Sequence, residues 1–132
     1  MPRSSQLLAL FLFTYALMLS SCSNDVPSAS TNMATVEHVV DGDTIDIAIG
    51  GNTERVRLIG VNTPETKHPT KGVECFGPEA SSYTEKLLPT GTKVRVERDV
   101  EARDKYGRLL LYVYIANSNV FVNLDLVMKG YA

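Results

Sequence analysis

A mainly β fold, a five-stranded barrel with one helix after the third strand and a short C-terminal helix, is predicted by three observations. Five short stretches are apolar either alternately or almost throughout, glycine- and asparagine-rich turns separate several of them, and only two segments repeat apolar residues at helical spacing.

The first strand is expected over 36–40. The second, 44–49, sets Ile45, Ile47 and Ile49 on one face and Thr44, Asp46 and Ala48 on the other. Gly50-Gly51-Asn52 reads as a hairpin turn into a third strand over 53–59, where Val56 and Leu58 face inward with Val61 and Arg57 faces outward. That strand breaks at Asn62-Thr63-Pro64, and 67–76 is a loop. Pro78 suits the first position of a helix ending at Leu88, with Ala80, Tyr83, Leu87 and Leu88 in phase and Pro89 as its stop. Alternation predicts a fourth strand over 93–98, and 108–115 is a fifth, largely buried one. After the Asn117-Ser118-Asn119 turn, Asn123 is expected to cap a short helix through Lys129, with Gly130 as its C-terminal stop. Five strands and two helices in this order suit an OB-type barrel.

The first residues read as targeting sequence. Arg3 is a positive n-region, 7–19 is an apolar run short for a membrane span, and Leu19-Ser20-Ser21-Cys22 ends in a cysteine preceded by small residues. The pattern resembles a bacterial lipoprotein signal over 1–21, implying a product that begins at Cys22, carries lipid there and is anchored on the outer side of the cytoplasmic membrane or in the envelope; an ordinary secretory signal is the alternative. Residues 22–34, rich in Ser, Asn, Thr and Pro, form a flexible tether, and 35–132 form one small domain. Cys75 is then alone in an oxidising compartment, either buried or paired outside this sequence, and neither His38 nor His68 is linked to it.

The chain is not a basic polyanion binder. Its formal charge is −2, and the leader holds one cation, Arg3, and no acid, so the remainder is one unit more negative. This balance argues against tight nonspecific binding to nucleic acid, while leaving open that some of the basic residues between Arg55 and Arg108 line one face. Function must reside in particular residues, and three polar clusters stand at strand ends: Asp41-Gly42-Asp43-Thr44, the 55–65 stretch with Arg57, Asn62, Thr63 and Glu65, and Asp104-Lys105-Tyr106-Gly107-Arg108. Taken singly, each has a bland reading as a turn former or as a strand-face ion pair of Arg57 with Glu54 or Asp46.

Together, and in this order, the runs 39–44, 57–66 and 104–108 resemble the staphylococcal nuclease (thermonuclease) family over roughly residue 35 to the end. The resemblance implies catalytic roles for Arg57, Glu65 and Arg108. It implies calcium ligation by Asp43 and Asn62 and by the backbone carbonyl of Thr63, with phosphate contacts from Lys105 and Tyr106. It further implies a monomeric calcium-dependent phosphodiesterase that hydrolyses DNA and RNA to 3′-phosphate and 5′-hydroxyl ends. The residue types agree with that chemistry. Hydrolysis of a phosphodiester needs an aligned water and compensation of charge on the phosphoryl oxygens, which Glu65 and two arginine forks can supply. Carboxylate, amide and carbonyl oxygens are hard ligands that favour calcium.

Two departures from the family pattern stand out. Asn62 replaces the aspartate of the best-known members and removes one charge from the metal's ligands, with Asp41 nearby to compensate. The sequence given ends at Ala132, where the family continues into a further helix, so a truncated chain is expected, with Tyr131 and the Leu124, Val127 and Met128 face short of packing. The competing expectation is a noncatalytic OB-type module that holds oligonucleotide or protein at the cell surface.

Overall fold

A computed structural model of the chain describes residues 32–66, 70 and 72–132. The expected signal over 1–21, Cys22, His68 and most of the expected tether lie outside the described residues. The elements run β1 (Met33–Asp41), β2 (Thr44–Ile49), β3 (Asn52–Leu58), α1 (Gly77–Leu87), β4 (Lys93–Arg103), β5 (Leu109–Ile115) and α2 (Val122–Met128). The strands close into a barrel in the order β1-β2-β3-β5-β4, with β4 returning to β1. All pairs are antiparallel except β3 with β5, which lie parallel. This is the expected OB-type, five-stranded barrel with its two helices.

Local sequence accounts for most of this architecture. Gly50 and Gly51 both have positive φ, 58° and 84°, as a two-residue turn joining Ile49 to its partner Asn52 requires. Alternation sends Ile45, Ile47, Val56, Leu58, Leu109, Leu111 and Val113 inward, where they meet Val94, Val96, Val122 and Leu126 in a single core. Each such side chain withdrawn from water contributes about 1.5–3 kcal/mol. Pro78 lies in the first turn of α1, and Leu88, fully buried, closes it.

Three boundaries differ from expectation. β1 begins at Met33, because Met33 and Ala34 continue the ladder with Arg95 and Val94, so the folded domain starts before residue 35. β4 runs to Arg103, five residues beyond the alternating stretch. Between the pairs Arg98 with Leu111 and Arg103 with Leu109, residues 99–102 face only Leu110, and the strand bulges outward. Arg98 interrupts the alternation after Val96, and although Val100 and Ala102 resume it in phase, both are exposed, so the extension buries no face.

Asn123 is the third correction. It does not cap α2, whose N-terminal flank is Phe121 with no side-chain cap. Its amide is buried inside the helix's first turn, where Oδ1 accepts the Val113 N–H at 2.9 Å and Nδ2 donates to the Ile59 and Leu111 carbonyls at 2.9 and 3.2 Å. Gly130 does stop α2, with φ 79° and the Tyr131 N–H bonded back to the Leu126 carbonyl. Leu124, Val127 and Met128 are exposed, while Tyr131 stacks on Tyr83 at 4.3 Å between ring centres.

Candidate active site

The site is assembled from three sequence-distant segments at one end of the barrel. The β1–β2 turn supplies Asp41 and Asp43, β3 and the segment after it supply Arg57, Asn62, Thr63 and Glu65, and the turn before β5 supplies Tyr106 and Arg108. All but Thr63 line one cleft of about 550 Å³. Lys105 does not line it; its ammonium lies 5.0 Å from the Tyr106 ring centre on the adjoining surface, and the Arg108 guanidinium lies 5.4 Å from the same ring.

Close packing fixes the β1–β2 turn. Thr84 of α1 donates its hydroxyl to the Gly42 carbonyl at 2.7 Å, and the Leu58 N–H donates to the Asp43 carbonyl at 2.9 Å. A Cβ at Gly42 would come within 2.7 Å of Thr63 Oγ1, so only glycine lets the turn press against the 61–66 segment. The two carboxylates then grip that segment. Asp41, 5% exposed, accepts from Thr66 Oγ1 at 2.8 Å and from the Thr66 N–H at 3.2 Å. Asp43, 7% exposed, accepts from the Thr63 N–H at 3.0 Å and from Thr44 Oγ1 at 2.9 Å. Glu65 is pinned through its backbone, which exchanges two bonds with Glu74: its N–H to Glu74 Oε2 at 3.0 Å and its carbonyl from the Glu74 N–H at 2.8 Å.

The arginines are held by partners of their own. Arg57 Nη1 is 2.5 Å from Asp43 Oδ2 and donates to the Val61 carbonyl at 2.7 Å, while Nη2 donates to Asn62 Oδ1 at 3.1 Å. Arg108 donates through Nε to Asp104 at 2.7 Å, and Asp104 also accepts the Arg108 and Tyr106 N–H groups at 3.0 and 2.9 Å. The strand-face partners considered for Arg57 are taken by others: Asp46 by Arg55 and Glu54 by Arg103.

Titration behaviour follows from these contacts. Burial raises the Asp41 pKa, but its hydrogen bonds to Glu65, Thr66 and Gly42 outweigh that, and the carboxyl ends below its ordinary value. Burial likewise opposes, and bonds from Arg108 and Tyr106 overcome, the shift at Asp104, which also ends low.

The donors available to a cation are hard oxygens. Thr63 Oγ1 is buried without a hydrogen-bond partner among the described residues, an arrangement that costs free energy unless another group satisfies it. Among the described residues no three His, Cys, Asp or Glu side chains gather as a metal site, so a cation would draw on carbonyl, amide and hydroxyl oxygens beside the carboxylates. This donor set fits calcium and does not fit zinc or copper.

Sequence reasoning missed several residues that hold the site. Thr66, Glu74 and Thr84 act through contacts between distant segments, which no local pattern reveals. Asp104 carried a readable signal: aspartate four residues before arginine across a Tyr-Gly turn is the spacing of an Asx turn with an ion pair. Cys75, expected to be buried or paired elsewhere, is exposed.

Fold and cleft together define a small OB-type barrel whose mouth pairs buried carboxylates with arginine forks. The model of the staphylococcal nuclease homologue family matches residues 55–132, more than half of the chain, and the chain belongs to that family. It is 48% identical over 97 residues to the thermonuclease of Staphylococcus intermedius, covering 74% of this chain and 56% of that one. With the thermonuclease of Staphylococcus hyicus it shares 39% over 110 residues, 83% and 63% of the two chains. With the SPbeta prophage-derived endonuclease YokF of Bacillus subtilis (strain 168) it shares 44% over 87 residues, 65% and 29%. The chain thus spans 56% and 63% of the length of the two thermonucleases.

Proposed function

We propose that the chain is a calcium-dependent nuclease that hydrolyses DNA and RNA, leaving 3′-phosphate and 5′-hydroxyl ends, with Arg57, Glu65 and Arg108 as catalytic residues. The observation that carries this reading is the convergence of these three side chains with Asp41, Asp43 and Asn62 in one cleft. In the family to which the chain belongs, the relatives at 48% and 39% identity are thermonucleases and the one at 44% is an endonuclease.

Each residue has a chemical task. Glu65 takes the proton of the attacking water, a contribution of about 100-fold to 10,000-fold. Arg57 and Arg108 present planar forks to the phosphoryl oxygens, where loss of one donor costs about 3 kcal/mol of transition-state stabilisation. Asp104 holds Arg108 at 2.7 Å and so fixes the angle of its fork. Arg57 must exchange its Asp43 and Asn62 contacts for phosphate, which requires another positive charge to compensate Asp43. Asp43, Asn62 and the Thr63 backbone carbonyl would hold the calcium ion, which would supply that charge and Lewis acidity toward the phosphoryl group. Tyr106, 71% exposed, and Lys105 beside it offer a ring and a cation to the neighbouring nucleotide.

Export with a lipid on Cys22 and a monomeric state belong to the same proposal; Cys22→Ala is expected to move the protein from the membrane fraction to the soluble one. End analysis tests the chemistry. Oligonucleotide fragments produced in calcium should resist extension by a polymerase until a phosphatase removes the 3′-phosphate. Fragments extended without phosphatase treatment would refute the product assignment.

A further inference from the structure

Alternation along β3 turns Arg55 and Arg57 to the same outward face, with Thr53 next in the row. Both arginines line the catalytic cleft. From there Arg55 and Thr53 continue into a smaller cleft of about 320 Å³, whose other walls are Asp46, Tyr106, Gly107 and Arg108. Arg55 lies outside the three runs that resemble the nuclease family.

Asp46 fixes the orientation of this arginine. Its carboxylate accepts from Arg55 Nε at 2.8 Å and from Nη2 at 3.0 Å. The grip occupies one edge of the guanidinium and leaves the other, Nη1 with the second N–H of Nη2, without a hydrogen bond among the described residues. With the Arg55 side chain 54% exposed, such a pair adds little stability. Its larger consequence is a cationic fork held in one direction on the wall of a cleft.

We propose that Arg55 binds the phosphate adjoining the scissile one. The inference rests on the nuclease reading above. Residues two apart on a strand are separated by about 6.6 Å, close to the spacing of successive phosphates along an extended nucleotide strand. A scissile phosphate seated on Arg57 and Arg108 therefore brings its neighbour to Arg55. Charge agrees with this path. The smaller cleft holds two arginines against one carboxylate, and that carboxylate is already engaged by Arg55, so the cleft attracts an anion. The free edge of the guanidinium matches two phosphate oxygens. In a chain of formal charge −2 the overall field does not hold a polyanion, and a second local contact must. The adjoining phosphate does not react, so the contact is equally strong before and during the chemical step. Its loss acts on KM and leaves kcat unchanged.

The test is digestion of end-labelled single-stranded DNA by the full chain in calcium, comparing the parent with Arg55→Gln and an all-phosphodiester strand with one carrying a single uncharged methylphosphonate linkage. Arg55→Gln should raise KM about tenfold with kcat and melting temperature retained. Its dependence of log(kcat/KM) on log salt should be shallower by about 0.7, the share of one phosphate on a single strand. In the parent, cleavage at one of the two linkages flanking the methylphosphonate should fall about tenfold, and at that linkage Arg55→Gln should add no further loss. An unchanged salt slope, a fall in kcat in place of the rise in KM, or independent effects of the variant and the methylphosphonate at both flanking linkages would overturn the contact while leaving the nuclease reading in place. A parent that cleaves nothing removes that reading, and the contact with it.

Discussion

Asn123 is the side chain on which the junction of β3, β5 and α2 depends, and its replacement by alanine gives a calculable loss. The amide makes three bonds, buried ones to the Val113 N–H and the Leu111 carbonyl and a part-buried one to the Ile59 carbonyl. Leu111 keeps a second partner, the Ile59 N–H at 3.1 Å, so its carbonyl stays satisfied. The Val113 N–H and the Ile59 carbonyl lose theirs. Each buried backbone group left unpaired costs about 1–3 kcal/mol, and the space vacated adds to that, for a total of about 3–5 kcal/mol. Against a typical domain stability of about 5–15 kcal/mol this is a large fraction. Urea unfolding followed by circular dichroism should show the midpoint falling with an unchanged slope. Asn123→Asp should also be destabilising, since it retains the acceptor and loses both donors. A loss below about 1 kcal/mol for the alanine variant would refute the reasoning, because it would mean that these backbone groups find other partners.

Other predictions follow the same contacts. Gly42→Ala forces Thr63 out of its place and should destabilise by about 1–3 kcal/mol in the same assay, with cleavage reduced more than stability alone explains. Asp104→Ala frees the Arg108 fork and loosens the turn it holds, so it should lower the melting temperature and, in steady-state kinetics on single-stranded DNA at a temperature where the variant stays folded, lower kcat by roughly tenfold to a hundredfold. The carboxyls of Asp41, Asp46, Glu54 and Asp104 all have folded pKa values below 3.8 or 4.5, their ordinary ones, so the stability they contribute is present above that range. It should be lost as pH falls through the folded values, seen as a declining urea midpoint below about pH 4. The Tyr83 hydroxyl, bonded to Asp125 at 2.6 Å, is pushed up to about 12, so absorbance titration should show one tyrosine ionising well after an ordinary one, and Asp125→Asn should bring it back.

The barrel was legible because its strands are short, alternate cleanly and are bounded by turn residues whose chemistry is local. Ile45, Ile47, Val56 and Leu58 announce their faces, and Gly50-Gly51 announces the hairpin. The bulge of β4 was not legible, since exposed residues such as Asp99 and Glu101 fit a strand or a loop equally well. Asn123 misled for a specific reason: asparagine near a helix start usually caps it, and only the tertiary arrangement turns its amide inward to three backbone groups. Motif order brought Arg57, Glu65 and Arg108 to attention, and the fold brings them to one cleft. What no motif states is the occupancy of the arginines. Arg57 is bound to Asp43 and Asn62, two of the oxygens assigned to the cation, so the neutral side chain at Asn62 is also a partner of the proposed catalytic arginine.

Cleavage of single-stranded DNA by the detergent-purified full chain at millimolar calcium, compared between the parent and Glu65→Gln, tests the central claim most directly. Thermal melting of both proteins serves as the folding control. The account predicts cleavage that a chelator abolishes, and a fall of roughly 100-fold to 10,000-fold in Glu65→Gln with melting temperature retained. A folded parent that leaves the DNA intact in calcium, or a Glu65→Gln variant as active as the parent, would contradict it.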